Sequence, residues 1–121
     1  MSTDITETVA RYVALVEAGT ADELVSLFAD DATVEDPVGG DVLVGREAIH
    51  RFYAGLETLD RSTELTLLRV AGREAAFVFT ITFSVGDTRM TLQPVDTVVF
   101  NEAGEISSLR SYFAPTDVTP V

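Results

Sequence analysis

Apolar positions in this chain follow two different rhythms, helical in the first half and alternating in the second. Ile5, Val9, Tyr12, Val13 and Val16 share one face, so residues 4–18 are predicted as an amphipathic helix. Asp4 with Glu7 reads as a capping pair at its start, and Gly19 ends it. Thr20 opens a second helix, where Glu23 three residues on completes a capping box and Leu24, Leu27 and Phe28 supply the apolar face. Thr33–Asp36 alternates and runs into Pro37, as a short strand entering a loop would. Beyond Gly45, Ile49, Phe52, Tyr53 and Leu56 form the apolar face of a third helix.

The period then changes from 3.6 to 2. Residues 64–71, 74–85, 88–100 and 105–114 are predicted as four long strands. Their joints are turn-like: Ala71-Gly72-Arg73, Gly86-Asp87 and Asn101 to Gly104. Helices first and a meander afterwards predict an α+β fold, with three N-terminal helices packed on one face of a curved antiparallel sheet. The length of 121 residues suits one domain spanning 1–121, with no linker or internal repeat.

Composition narrows the function. Twenty acidic residues against eight basic ones give a formal charge of −12, a surface that repels nucleic acid and anionic lipid. There is no cysteine, which removes disulfides, thiolate chemistry and cysteine-based zinc sites. One histidine, His50, offers no basis for a histidine metal cluster, so neither metal nor organic cofactor is expected. The stretch Met1 to Glu7 has neither the charge nor the apolar core of a secretory leader, and no apolar run reaches the ~18 residues of a membrane span. A cytoplasmic protein is expected by default.

Four polar side chains sit where apolar ones would be expected. Asp96 shares parity with Val98 and Phe100, and before Pro94 with Met90 and Leu92, so it should face the helices and be buried. Either it pairs with an arginine or escapes through a bulge at Pro94, or it is a neutral acid able to donate a hydrogen bond, because an isolated buried carboxylate takes up a proton. Asp36 beside Pro37 is either a turn carboxylate or a general base. Tyr12 and Tyr53 lie on apolar helix faces, as core residues with bonded hydroxyls or as donors into a cavity.

The blocks Ala10-Arg11-Tyr12-Val13, Leu27 through Asp36-Pro37-Val38-Gly39, Arg51-Phe52-Tyr53-Ala54 and Pro94-Val95-Asp96-Thr97-Val98-Val99-Phe100 occur in an order that resembles bacterial ketosteroid isomerases, within the nuclear transport factor 2-like superfamily. The similarity runs from about residue 5 to 114. It implies a cone-like fold around an internal apolar pocket, and steroid delta-isomerase activity that moves a C=C bond into conjugation with a ketone. Asp36 would be the base, Tyr12 the principal oxyanion donor, Asp96 the protonated second donor and Tyr53 the hydroxyl that orients Tyr12. That family is itself the established case of a carboxylic acid kept neutral by an apolar site, so only the burial of Asp96 is read from this sequence.

A steroid substrate would suit a lining of Phe52, Leu56, Phe83, Met90, Val98 and Phe113. The resemblance further implies a homodimer formed through the outer face of the sheet. Two departures stand out: Phe28 where some relatives have a further tyrosine, and Phe113 where some have a tryptophan. The competing readings are a polyketide-cyclase-like or dehydratase-like enzyme, which would employ a histidine or an Asp–Arg–Asp arrangement with Arg89 or Arg110 approaching an aspartate, and a module that only holds a hydrophobic ligand or pairs with itself. His50 is read as solvated.

Overall fold

The computed structural model describes residues 4–121; Met1–Thr3, part of the stretch read above for a leader, lie outside them. Helix α1, Ile5–Ala18, is capped by Asp4, whose carboxylate accepts from the Thr6 and Glu7 amides. It stops at Gly19, where a Cβ would come within 2.8 Å of the Leu15 carbonyl. Helix α2, Ala21–Val25, carries the expected capping box between Thr20 and Glu23. It is shorter than its apolar face predicts, for Phe28 already begins strand β1, Phe28–Glu35. After a short strand β2, Val42–Val44, helix α3 covers Arg46–Ala54. Gly45 introduces it at φ 88°, a left-handed conformation that a side chain would strain.

The second half is strand throughout: β3 Arg61–Ala71, β4 Glu74–Val85, β5 Thr88–Leu92, β6 Val95–Phe100 and β7 Ile106–Tyr112, then a short 3-10 turn Pro115–Asp117 and β8 Thr119–Pro120. The strand predicted over 88–100 is therefore two, divided at Gln93-Pro94, because proline has no N–H for the ladder. All eight strands join in one sheet, ordered β2-β1-β7-β6-β4-β5-β8 with β3 on the other edge of β4. The expected wholly antiparallel sheet needs correction. Strand β1 runs parallel to β7, Val34 opposite Leu109 and Glu35 opposite Arg110, since the helical segment between β1 and the meander lets the chain return in either sense.

Helix α1 lies over β3 and β4, and α3 over β1. Val9, Val13, Val16, Leu24, Ile49, Phe77, Val98 and Leu109 meet in the core. Burying each such aliphatic or aromatic side chain contributes roughly 1.5–3 kcal/mol. No helix among the described residues is long and apolar enough to cross a membrane.

Candidate active site

Between the helices and the inner face of the sheet, the core opens into a small cleft of about 190 Å³. Strand parity builds one wall. Phe79, Ile81 and Phe83 alternate inward along β4, and Ser111 and Phe113 do so at the end of β7. Leu92 and Pro94 close the sheet side, and Val16, Phe52, Leu56 and Leu59 come from α1, α3 and the turn after α3. Among fourteen lining residues, the polar ones are Tyr12, Tyr53, Asp36 and Ser111.

The helical phase delivers both tyrosines. Tyr12 and Tyr53 are buried and their hydroxyl oxygens lie 2.8 Å apart. Aromatic neighbours fix their rings: Phe77 packs edge-on against Tyr12 at 6.0 Å, Phe52 edge-on against Tyr53 at 5.1 Å, and Phe28 lies tilted against Tyr53 at 6.0 Å. Phe28 has no hydroxyl to offer, so the hydrogen-bonded pair ends at Tyr53. Burial raises both phenols well above their ordinary value. Burial is the largest cause in both, and the two remain neutral at physiological pH.

Asp96 is 1% exposed, as its parity with Val98 and Phe100 requires. Its Oδ1 is buried without a hydrogen-bond partner. Desolvation pushes its carboxyl up to about 7; Ser111 pulls it down and the charge on Asp36 pushes it up. Ser111 faces it directly across the β6–β7 ladder and is itself 2% exposed. The serine hydroxyl lies within electrostatic reach of the carboxyl without a fully formed hydrogen bond between them. No arginine pairs with Asp96 among the described residues: Arg110 is held by Glu35 at 3.0 Å and Arg89 by Asp60 at 3.5 Å. Asp96 thus has no cation beside it among the described residues.

Asp36 follows the last residue of β1, lines the cleft and is half-buried. Its peptide bond to Pro37 is cis. The loop behind it is tied down by the Val38 amide donating to the Ser111 carbonyl at 2.8 Å and the Gly39 amide donating to Glu35 at 2.9 Å. Burial pushes the Asp36 carboxyl up to about 6. Its charge and that of Asp96 act on both tyrosines, so all four groups share one electrostatic environment.

Of the side chains expected to line a pocket, Phe52, Leu56, Phe83 and Phe113 do so. Val98 instead packs in the core opposite Ala75 and Leu109. Met90 lies on β5 between Phe83 and Pro120 and is not part of the cleft wall, which on this strand is reached by Leu92. Ser111 escaped the sequence reading, since a lone serine on a strand carries no signal until its neighbour is known; Phe79 and Ile81 were legible from their parity with Phe83. His50 sits on the surface with Asp22 at 2.7 Å. No cluster among the described residues could hold a metal ion.

Residues 9–109 match the model of the SnoaL-like domain. The chain is 42% identical over 122 residues to a steroid delta-isomerase of Nocardioides simplex, covering 99% of both. Its backbone superposes with a TM-score of 0.89 on SalBIII, described as an epoxide hydrolase/cyclase-like enzyme in pyran ring formation in polyether salinomycin, at 29% identity over 97% of this chain and 95% of that one. A Mycobacterium tuberculosis protein has the same fold at 20% identity and a TM-score of 0.89, covering 100% of this chain and 98% of its own. A matched segment of this extent and a relative aligned nearly end to end place the chain in the SnoaL-like domain family.

Proposed function

We propose that this protein is a steroid delta-isomerase, converting a β,γ-unsaturated 3-oxosteroid to its conjugated isomer. The observation that carries this reading is a bonded pair of buried tyrosine hydroxyls with two aspartates that lack a cation partner among the described residues, Asp36 lining the mostly apolar cleft and Asp96 buried directly behind its wall. The Nocardioides relative supports the same activity.

The chemistry follows from the settings. A C–H between a ketone and a C=C is weakly acidic until charge can move onto the carbonyl oxygen, so the enzyme must both remove the proton and stabilise a dienolate. Asp36, lower in pKa and nearer the mouth, is the base: it takes the proton from the α-carbon and returns it to the γ-carbon. Asp96, higher in pKa and deeper, stays protonated and donates to the oxygen. The two interact, so their pKa values belong to the pair.

Tyr12 is the other donor. Phe28 and Phe52 surround Tyr53 with hydrocarbon, so Tyr12 is the partner available to the Tyr53 hydroxyl. If Tyr53 donates, both hydroxyl protons are used, and that of Tyr12 is free for the dienolate oxygen; the reverse would bury an unused donor. A neutral hydrocarbon skeleton would lie against Phe52, Leu56, Phe83 and Phe113.

The cyclase-like reading is supported by the likeness to SalBIII. Such chemistry often employs histidine or an Asp–Arg–Asp arrangement, whereas here His50 lies at the surface with Asp22, and Arg89 and Arg110 lie with Asp60 and Glu35. The reading also includes a homodimer through the outer face of the sheet, where Val95, Val99 and Tyr112 are exposed, and a cytoplasmic location; sedimentation and cell fractionation test these. The decisive assay follows the absorbance of the conjugated enone: conversion by the wild type that Asp36→Ala retains in full would overturn the mechanism.

A further inference from the structure

Ser111 is the residue in the cleft that the isomerase mechanism leaves without a task. Its main chain and side chain face the two aspartates separately. The carbonyl accepts from Val38 in the loop that carries Asp36. The side chain shares the inner face of the sheet with Asp96, its direct partner across β6–β7, and reaches the cleft surface. Asp96 itself lies behind the lining, with Oδ1 unpartnered. A buried carboxyl that must donate from one oxygen has to be stopped from turning that O–H elsewhere. On the β4 side it faces Phe77, which offers nothing polar.

We propose that Ser111 is the positioning residue for Asp96: its Oγ–H donates to one carboxyl oxygen and leaves Oδ1 to carry the acidic proton toward the substrate oxygen. This rests on the isomerase reading above, and no bond is made or broken in it. The contact tightens when substrate or an oxyanion mimic fills the cleft and Oδ1 gains its partner. Besides Ser111, the groups that face Asp96 are Asp36 from the loop after β1 and the phenols of Tyr12 from α1 and Tyr53 from α3; none is a cation. The downward pull of Ser111 on the Asp96 carboxyl agrees with a donating hydroxyl.

The test compares Ser111→Ala and Ser111→Thr with the wild type by two readouts. The first needs no substrate: carboxyl ¹³C resonances of aspartate-labelled protein are titrated, with Asp96 assigned by its loss in Asp96→Asn. Ser111→Ala should move the Asp96 midpoint upward, Ser111→Thr should restore it, and the Asp36 midpoint should change less. The second is turnover of a β,γ-unsaturated 3-oxosteroid. Loss of one neutral hydrogen bond should lower kcat roughly 5- to 10-fold with little change in KM, and should move the alkaline limb to higher pH while the acid limb stays. Ser111→Thr should recover most of kcat.

An Asp96 midpoint that stays in place in Ser111→Ala overturns the proposal, as does a loss of kcat with both limbs unmoved. If Ser111→Ala fails to fold, the Ser111→Thr titration decides, and a midpoint displaced as far as by removal of Asp36 would also overturn it. Wild-type protein with no isomerase activity would remove the proposed function instead, and the carboxyl titration would still report whether Ser111 holds Asp96.

Discussion

The hydroxyls of Tyr12 and Tyr53 meet at 2.8 Å although 41 positions separate them in the chain. Each sits on the apolar stripe of its own helix, and the sheet on which both helices pack brings the stripes together. Removing either hydroxyl therefore has unequal consequences. Tyr12→Phe deletes the donor to the dienolate, and removal of one such donor costs roughly 10²–10³-fold in kcat. Tyr53→Phe only releases the orientation of Tyr12 and should cost roughly 5- to 10-fold, the worth of one neutral hydrogen bond. Steady-state turnover of both variants checks this order; equal losses would contradict the separate roles.

Asp36→Asn keeps the shape of the side chain and removes its basicity. A placed general base contributes roughly 10²–10⁴-fold, so kcat should fall by that amount with little change in binding. An oxyanion-mimicking phenolic steroid should bind the variant at least as tightly as the wild type, because the carboxylate no longer repels a negative ligand. Calorimetric titration with such a phenol separates the base from a mere pocket residue.

The two carboxyls also set the pH dependence. Protonation of Asp36 below about 6 removes the base, and ionisation of Asp96 above about 7 removes a donor, so kcat/KM should be bell-shaped with its maximum between these values. A profile flat from pH 4 to pH 9 is the contrary result.

Stability should follow the same groups with the opposite preference. The folded-state pKa of Asp96 lies above the unfolded value, so the folded protein holds more protons between roughly pH 4 and the folded pKa of about 7. Stability from this group is therefore present in mild acid and lost as pH rises through about 7. Asp96→Asn, which cannot ionise, should be more resistant to urea than the wild type at pH 8, and the gap should shrink at pH 5. A gap unchanged across this range would mean that Asp96 is not carrying a desolvation cost.

Arg61 holds the rim of the cleft together. Its guanidinium donates to the Val16 and Leu56 carbonyls at 2.6 Å each, and to those of Leu59 and Gly19 at 3.1 Å. Three of these four residues, Val16, Leu56 and Leu59, also line the cleft. Arg61→Met should lower unfolding free energy by roughly 2–3 kcal/mol, since it strands carbonyls that a cation had satisfied. It should also raise KM more than it lowers kcat. Urea denaturation and steady-state kinetics on one preparation test both.

Much of the candidate site was legible before any fold was known, because periodicity assigns a face. Alternation placed Asp96 inward with Val98 and Phe100, and helical spacing placed Tyr12 and Tyr53 on core-facing stripes; in the structure all three are buried. The same parity runs on through Leu92 and Pro94, which both line the cleft, but Met90 lies one step further along β5, where the strand leaves the cleft wall. Val98 shows another limit: the inner face of a strand borders both packed core and cleft, and the pattern alone does not separate them.

The sequence by itself determined which side chains turn inward and that two aspartates and two tyrosines lie among them. Only the tertiary structure decided what each one meets. The parallel pairing of β1 with β7 ties the Asp36 loop to Ser111, and the β6–β7 register sets that serine opposite Asp96. Periodicity is a property of neighbouring residues, whereas such contacts depend on which strands pair and in what register, as global packing selects.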